Sequence, residues 1–420
     1  MGRQGQRAIV VRCETAGYAL AMDGDGHALG LVVNPRAAAR EAAVAGPFTA
    51  DGFAAAHGAV CAFPGYGATP LRALSGLGDA LGVDEIHYKD EAGRFGLGSF
   101  KPLGAPYAAA RALLDIARRT EPAASLEGVV RGAFADALSG VTLLSATDGN
   151  HGRAVAYAAK AFGARAKIFA HPGMSEGRRA AIRALGAALE ICPGGYDDSV
   201  RAAYAEGAAT GNPVIQDTTM GDDTAAPFAI TEGYGVIAQE VFDALDRPPT
   251  HAIVQAGVGG VASAICARFW QFWGAERPKF IVLEPHNAAC VAASLAAGRP
   301  VTIDGNTDTA MAGLACGTVS SLAWDVLATG ADAALLVPDA MAATGMKRLA
   351  RPLAGDPAIV GGECAGGAIG ALMALAERPD LRAALEMGAD ARVFVLGTEG
   401  ATDPALYERL VGIAPESVAP

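Results

Sequence analysis

The sequence predicts an α/β fold: two domains, mostly parallel sheets, helices on both faces. Three observations carry this. Short apolar strand-like runs alternate with helical patterns along most of the chain, the mark of β-α-β units. The runs are apolar almost throughout rather than alternating, as expected for parallel strands buried on both faces. With 420 residues there are more strands than one sheet usually carries, and at roughly 100–200 residues per domain the length suits two or three units.

In chain order, the segment up to about Leu81 reads as irregular, punctuated by Pro64, Gly65, Gly67 and Pro70. Residues 84–89 read as a strand. A helix follows over 101–119, its regular part pushed late by Pro102 and Pro106. Strands are expected at 141–146, 166–170 and 188–192, with helices over 150–162, 175–185 and 197–206. Ser175 is a candidate cap for the second of these. Residues 213–216 read as short and extended, and 228–245 as a long helix. Apolar runs at 251–255, 279–283, 333–337 and 392–396 complete the strands, with helical patterns between.

Composition removes several function classes. Hydrophobic residues make up 51% and charged residues 18%, too apolar for a disordered chain. The net charge of −11 offers no basic field to nucleic acid or an anionic membrane. The longest apolar stretches, 252–267 and 309–324, are 16 residues each and glycine-interrupted, short of the roughly 20 that a bilayer needs. The first twelve residues contain no apolar run of a secretory signal. Seven cysteines without a CxxC pattern fit a reduced, cytoplasmic protein. Cys290 and Cys316 are expected to stay unpaired unless the fold brings them together. No residue set has metal-ligand spacing. The 54 glycines point to tight turns or close backbone approaches to a ligand.

In open α/β folds ligands bind where strands end, and four strand-end segments are rich in chemistry. Gly93, Gly96, Gly98 and Gly104 bracket Lys101. Alone, such a lysine is a solvated surface residue; as a Schiff-base lysine it needs its pKa lowered, which an apolar pocket of Phe95 and Phe100 would do. Thr147, Asp148, Asn150 and His151 crowd a single strand-to-helix turn, where Asp148 or Asn150 would serve as helix cap. Gly257, Val258, Gly259 and Gly260 sit between a strand and a helix, a phosphate cradle in form. Thr398 follows the last strand. Asp217 stands at another strand end.

A glycine cradle together with a glycine-bracketed lysine suggests pyridoxal phosphate (PLP). The same cradle has a rival reading. Gly257 to Ala262 also satisfies G-x-G-x-x-A, and Glu284 lies 27 residues after Gly257, near the spacing of an acidic ribose ligand in an NAD-dependent dehydrogenase.

The motifs in order resemble those of the fold-type II, tryptophan synthase β-like PLP enzymes, and within them the diaminopropionate ammonia-lyases. The resemblance runs from about Pro70 to the end of the chain. It rests on Lys89, Asp90 and Glu91 followed by Arg94 and Phe95; on Phe100 and Lys101; on Thr147 to Arg153; on Tyr196, Asp197 and Asp198; on Gln216, Asp217 and Thr218; on Gln255 to Gly259; on Met311 to Gly317; on Gly362 and Glu363; and on Thr398 to Asp403. It implies a large cofactor-binding domain, 1–115 plus 236–420, and a small domain, 116–235, with the active site between them. It implies Lys101 as the lysine that holds the cofactor's aldehyde as an imine, beside Phe100. Asn150 would bond the ring's phenolic oxygen. Gly257, Val258, Gly259 and Gly260 would hold the phosphate, and Thr398 would face the pyridine nitrogen. Asp217 and Asp148 would abstract the Cα proton of the L- and D-substrate respectively. The implied reaction is α,β-elimination of 2,3-diaminopropionate, a small amino acid, to pyruvate and ammonia, in a homodimer.

Departures from the family pattern concern the substrate. Residues 218–228 lack the tryptophan and tyrosine common there, Ser99 precedes Phe100 as in serine and threonine dehydratases, and Cys364 stands where serine is common. A serine, threonine or hydroxyaspartate dehydratase of the same fold is the alternative these leave open.

Overall fold

The computed structural model describes residues 9–12, 19–22, 29–43, 45–218, 223–303 and 305–418. Its strands, in chain order, are β1 (Ile9–Arg12), β2 (Ala19–Met22), β3 (Gly30–Val33), β4 (Leu71–Ala73), β5 (Glu85–Asp90), β6 (Thr142–Ala146), β7 (Arg165–Ala170), β8 (Ala188–Ile191), β9 (His251–Gln255), β10 (Lys279–Pro285), β11 (Ala333–Val337) and β12 (Arg392–Gly397). Seven of them form one sheet in the order β3-β11-β10-β9-β12-β5-β4. The five inner strands run parallel, and the two edges, β3 on β11 and β4 on β5, are antiparallel. β9 and β11 are buried along their whole length, which is why β11 is apolar throughout and β9 is apolar between His251 and Gln255.

A second, parallel sheet has the order β6-β7-β8. Residues 213–215 extend it: Leu144 N donates to Pro213 O at 2.9 Å and Ile215 N to Leu144 O at 2.8 Å. This short extension aims the chain at Asp217. β1 and β2 form a separate antiparallel pair.

One apolar cluster runs from Leu143 and Ile168 under the small sheet, through helices Ala105–Ala117 and Ala225–Ala244, to Val254 and Val282 in the large one. The crossing is tight where small residues allow it. A Cβ on Gly104 would lie 2.6 Å from Ile230 O, and one on Gly233 2.3 Å from Leu103 O.

The first 81 residues are less irregular than the sequence predicts. They contain β3, β4 and helices Ala50–Cys61 and Ser75–Leu81. Helix Ala50–Cys61 buries only Phe53, Ala56 and Val60 and includes Gly52 and Gly58. Its apolar contrast is therefore weak, and its start is marked only by Thr49, whose hydroxyl accepts from Gly52 N at 3.0 Å. Later elements match their expected positions closely. Ser175 caps helix Glu176–Arg183 as expected. No helix among the described residues is long and apolar enough to cross a membrane.

Candidate active site

Lys101 is placed by a loop laid against the exit of β12. Phe100 N donates to Thr398 O at 3.1 Å and Gly400 N to Gly98 O at 2.9 Å. The turns before it need backbone that few side chains tolerate: Phe95, Gly96 and Gly98 have φ of 50°, 68° and 78°. Beneath the loop lies a buried ionic cluster. Glu240 accepts from Lys89 Nζ at 2.5 Å and from Arg94 Nη1 at 2.8 Å, and Glu91 accepts from Arg94 Nη2 at 2.8 Å. Two cations meet two anions, so the charges are compensated. Lys89, Glu91 and Arg94 therefore serve the foundation of the lysine loop, not its chemistry.

Lys101 Nζ donates to Asp217 Oδ2 at 2.5 Å. The Phe100 and Tyr234 rings, packed edge-on with centroids 4.8 Å apart, lie 5.3 and 5.9 Å from the ammonium. The sequence predicts an apolar pocket that lowers the lysine's pKa. The structure reverses that. Burial pulls the ammonium down, but the Asp217 carboxylate outweighs it and holds Lys101 well above its usual range. Phe95, the other expected wall, packs instead against Phe63, Tyr66 and Tyr157. Asp217 is the reciprocal case. Burial pushes its carboxyl up, yet His151 and Lys101 beside it hold it well below the usual carboxylate range. His151 Nδ1 is 3.6 Å from Asp217 Oδ2, and its Nε2 is 2.9 Å from Ile215 O. Burial pushes this imidazole down, so of the two neighbours that lower Asp217, Lys101 is the one that keeps its charge through neutral pH.

The turn after β6 is not capped by Asp148 or Asn150, as the sequence suggests. Helix Asn150–Phe162 has Gly149 at its N-cap, with φ 149° and no side-chain cap. Thr147 Oγ1 does the work, accepting from Gly149 N and Gly152 N, both at 2.9 Å. Both Asp148 and Asn150 are thereby left to line the cavity. Asp148 Oδ1 is 2.6 Å from His171 Nε2.

Gly257, Val258, Gly259 and Gly260 join β9 to helix Gly260–Trp273. Gly259 has φ 95°, and a Cβ there would stand 2.8 Å from Ala323 Cβ; Gly257 is nearly as tight, 3.0 Å from Cys316 Sγ and Gly313 O. Backbone therefore lines this wall, at a helix N-terminus, the geometry that favours a phosphate. Thr398 Oγ1 is buried with no well-formed hydrogen bond. The hydroxyl interacts with the Glu399 carboxylate and, as both donor and acceptor, keeps the capacity to meet a ring nitrogen. Together with the cradle, it makes the site fit pyridoxal phosphate.

Glu284 is not available to a ribose. It is fully buried, and its two oxygens accept from Val291 N at 2.8 Å and Ala292 N at 2.7 Å. Burial pushes its carboxyl up, to about 8, against those two donors. The dinucleotide reading thus loses its acidic ligand.

One cavity of about 1060 Å³, open mouth included, is lined by Phe100, Lys101, Asp148, Asn150, Asp217, Thr398 and the stretch 257–260. Lys101, both aspartates, Asn150, Thr398 and the glycine stretch singled out in the sequence thus converge on it, whereas Phe95 and Glu284 do not. Residues that sequence reasoning missed also reach it: Tyr234, from the middle of a helix; Arg178, from the small sheet's side; and His151, named in the turn but given no role. Cys290 and Cys316 are free thiols. Residues 219–222 of the atypical 218–228 segment lie outside the described residues.

Comparison with known proteins agrees with this geometry. Residues 62–399 match the family described as pyridoxal-phosphate dependent enzyme. A diaminopropionate ammonia-lyase of Escherichia coli (strain K12) is 36% identical over 362 residues, covering 85% of this chain and 90% of that protein. The crystal structure of the Escherichia coli diaminopropionate ammonia lyase in complex with an aminoacrylate-PLP azomethine reaction intermediate superposes with a TM-score of 0.83 at 32% identity, over 94% of this chain and 99% of that one. The same enzyme in complex with D-serine gives 0.84 at 32% identity, with the same coverage. The chain belongs to the fold-type II pyridoxal-phosphate dependent enzymes and, within them, to the diaminopropionate ammonia-lyase family.

Proposed function

We propose that this protein is a PLP-dependent ammonia-lyase that eliminates ammonia from 2,3-diaminopropionate, yielding pyruvate and a second ammonia. The observation that carries the reading is the Lys101–Asp217 pair, 2.5 Å apart, in the same cavity as the glycine wall and Asp148.

When bound, the cofactor supplies an electron sink for the pair left at Cα. The chain supplies the rest. Gly257, Val258, Gly259 and Gly260 hold the phosphate through backbone N–H groups. Asn150 bonds the phenolic oxygen. Thr398 offers a neutral hydroxyl to the ring nitrogen, which leaves that nitrogen less protonated and favours elimination over transamination. Lys101 Nζ would hold the cofactor's aldehyde once its ammonium proton has passed to solvent, which leaves Asp217 Oδ2 a free carboxylate. The same carboxylate then accepts the Cα proton of an L-substrate, and Asp148 that of a D-substrate. The β-amine leaves as ammonia, taking up a proton. The 2-aminoacrylate released consumes one water and gives pyruvate and the second ammonia.

The two sheets support a division into a large domain, 1–115 with 236–420, and a small one, 116–235, with the cavity between. Free thiols at six cysteines fit a cytoplasmic enzyme, and Phe272, 56% exposed and stacked on Phe242, is the kind of apolar surface a homodimer covers.

The test is direct. Purified protein given the cofactor is expected to absorb near roughly 410–420 nm and to release pyruvate from L- and D-diaminopropionate faster than from serine, threonine or hydroxyaspartate. Lys101→Ala removes both band and turnover. A preference for a hydroxyl leaving group would move the assignment to a dehydratase of the same fold.

A further inference from the structure

Asp148 is not held as Asp217 is. Its partner is His171, the residue directly after β7, with Nε2 2.6 Å from Asp148 Oδ1. The two strand ends are tied together, since Thr147 N donates to Phe169 O at 3.1 Å. His171 Nδ1 accepts from Gly173 N at 3.2 Å. That contact orients the ring and puts the proton of the neutral imidazole on Nε2, which donates to the carboxylate. The pair lines a second, wider cavity that adjoins the first through Asp148.

We propose that His171 is the positioning residue of Asp148: its Nε2–H anchors Oδ1, leaves Oδ2 for the substrate, and makes turnover of the D-enantiomer, but not of the L-enantiomer, depend on this histidine. The proposal rests on Asp148 being the D-side base.

The charges that face His171 set the sign of its pH dependence. Asp148, through its hydrogen bond, raises the imidazole above the ordinary 6.5; burial, Arg179 and Arg178 oppose that. Across the wider cavity stand Asp197, Asp198 and Arg201. A protonated His171 stabilises the Asp148 carboxylate and so weakens it as a base. Loss of that proton strengthens the base. D-turnover therefore rises as pH climbs through the raised pKa of His171. His151, beside Asp217, is pushed the other way, so L-turnover gains no such limb. Because enantiomers share their own pKa values, the ratio of D- to L-turnover cancels substrate ionisation and isolates the enzyme's groups.

The experiment measures kcat and KM for both enantiomers, from pH ~6 to ~9, in the native holoenzyme, His171→Leu, His171→Gln and Asp148→Asn. His171→Leu is expected to lower kcat for the D-substrate ~10-fold or more, with KM and L-turnover within about twofold. His171→Gln, which keeps an N–H donor but does not titrate, recovers most D-turnover and flattens the D/L ratio against pH. In NMR of the cofactor-free protein, the His171 resonance titrates above 6.5, and its pKa falls in Asp148→Asn. Equal losses for both enantiomers, an unchanged D-rate in His171→Leu, or a flat native ratio would overturn the proposal. If Asp148→Asn spares D-turnover, the base assignment falls as well; if that variant is D-selective and His171→Leu is not, only the role of His171 falls.

Discussion

Asp217 and Asp148 both end stretches of the small sheet and line the same cavity, but their surroundings differ. Asp217, with a side chain 12% exposed, faces the Lys101 ammonium at 2.5 Å and a neutral His151 at 3.6 Å. Asp148, 31% exposed, has His171 at 2.6 Å. The first carboxylate is therefore coupled to the lysine that the cofactor needs, over a buried ionic foundation. The second is coupled to a histidine on a strand end, facing a wider opening. The same residue type is thus given two settings by what the tertiary fold places within a few ångströms of it, and the ionisation of Asp217 follows its partners rather than its sequence.

The sharpest way to break the comparison is Asp217→Asn. Removing this base should cost L-turnover on the order of 10²–10⁴-fold, with a much smaller loss for the D-substrate; equal losses would sink the two-sided assignment. Next comes a change that should strike both sides alike. Glu240→Gln leaves Lys89 and Arg94 buried with too little negative charge, at a cost of ~3–5 kcal/mol of stability, visible as a lowered melting temperature. It carries a pH signature too. Burial raises the Glu240 carboxyl, but Arg94 and Lys89 pull it down to about 2. A folded-state pKa below the unfolded one gives stability that is present above about 4.5 and lost as pH falls towards 2. Acid titration of the native protein should show that loss, and Glu240→Gln should show less of it. The smallest effect is expected from Gly259→Ala. Its φ of 95° and a Cβ 2.8 Å from Ala323 Cβ predict ~1–3 kcal/mol of strain, weaker cofactor binding in a titration, and an unchanged D/L ratio.

Much of the site was legible because α/β folds put ligand chemistry where strands end. Polar and glycine residues after β6, β9 and β12 could be located before any coordinates, and so could Lys101 within its glycine bracket. Less legible was anything that depends on a partner distant in sequence. Lys89, Glu91 and Arg94 are prominent in the sequence, yet their role is set by Glu240, some 150 residues on. Tyr234 sits inside an apolar helix with nothing to mark it. His171 is a single histidine after an ordinary strand. Glu284 has the spacing of a ribose ligand, and only its two backbone donors reveal its use. The weakly amphipathic helix Ala50–Cys61 escaped because alanine and glycine blur its buried face.

By itself the sequence determined the alternation of strands and helices, hence a parallel α/β architecture, and which loops would be rich in glycine and polar side chains. These are local properties, written in periodicity and turn chemistry. The tertiary structure decided the ionisation of the site. Composition around Lys101 argues for a lowered pKa; the approach of Asp217, 116 residues away, raises it. Coulomb interactions between buried groups depend on distances that no local pattern encodes, so the chemistry of each side chain was settled only when the two sheets came together.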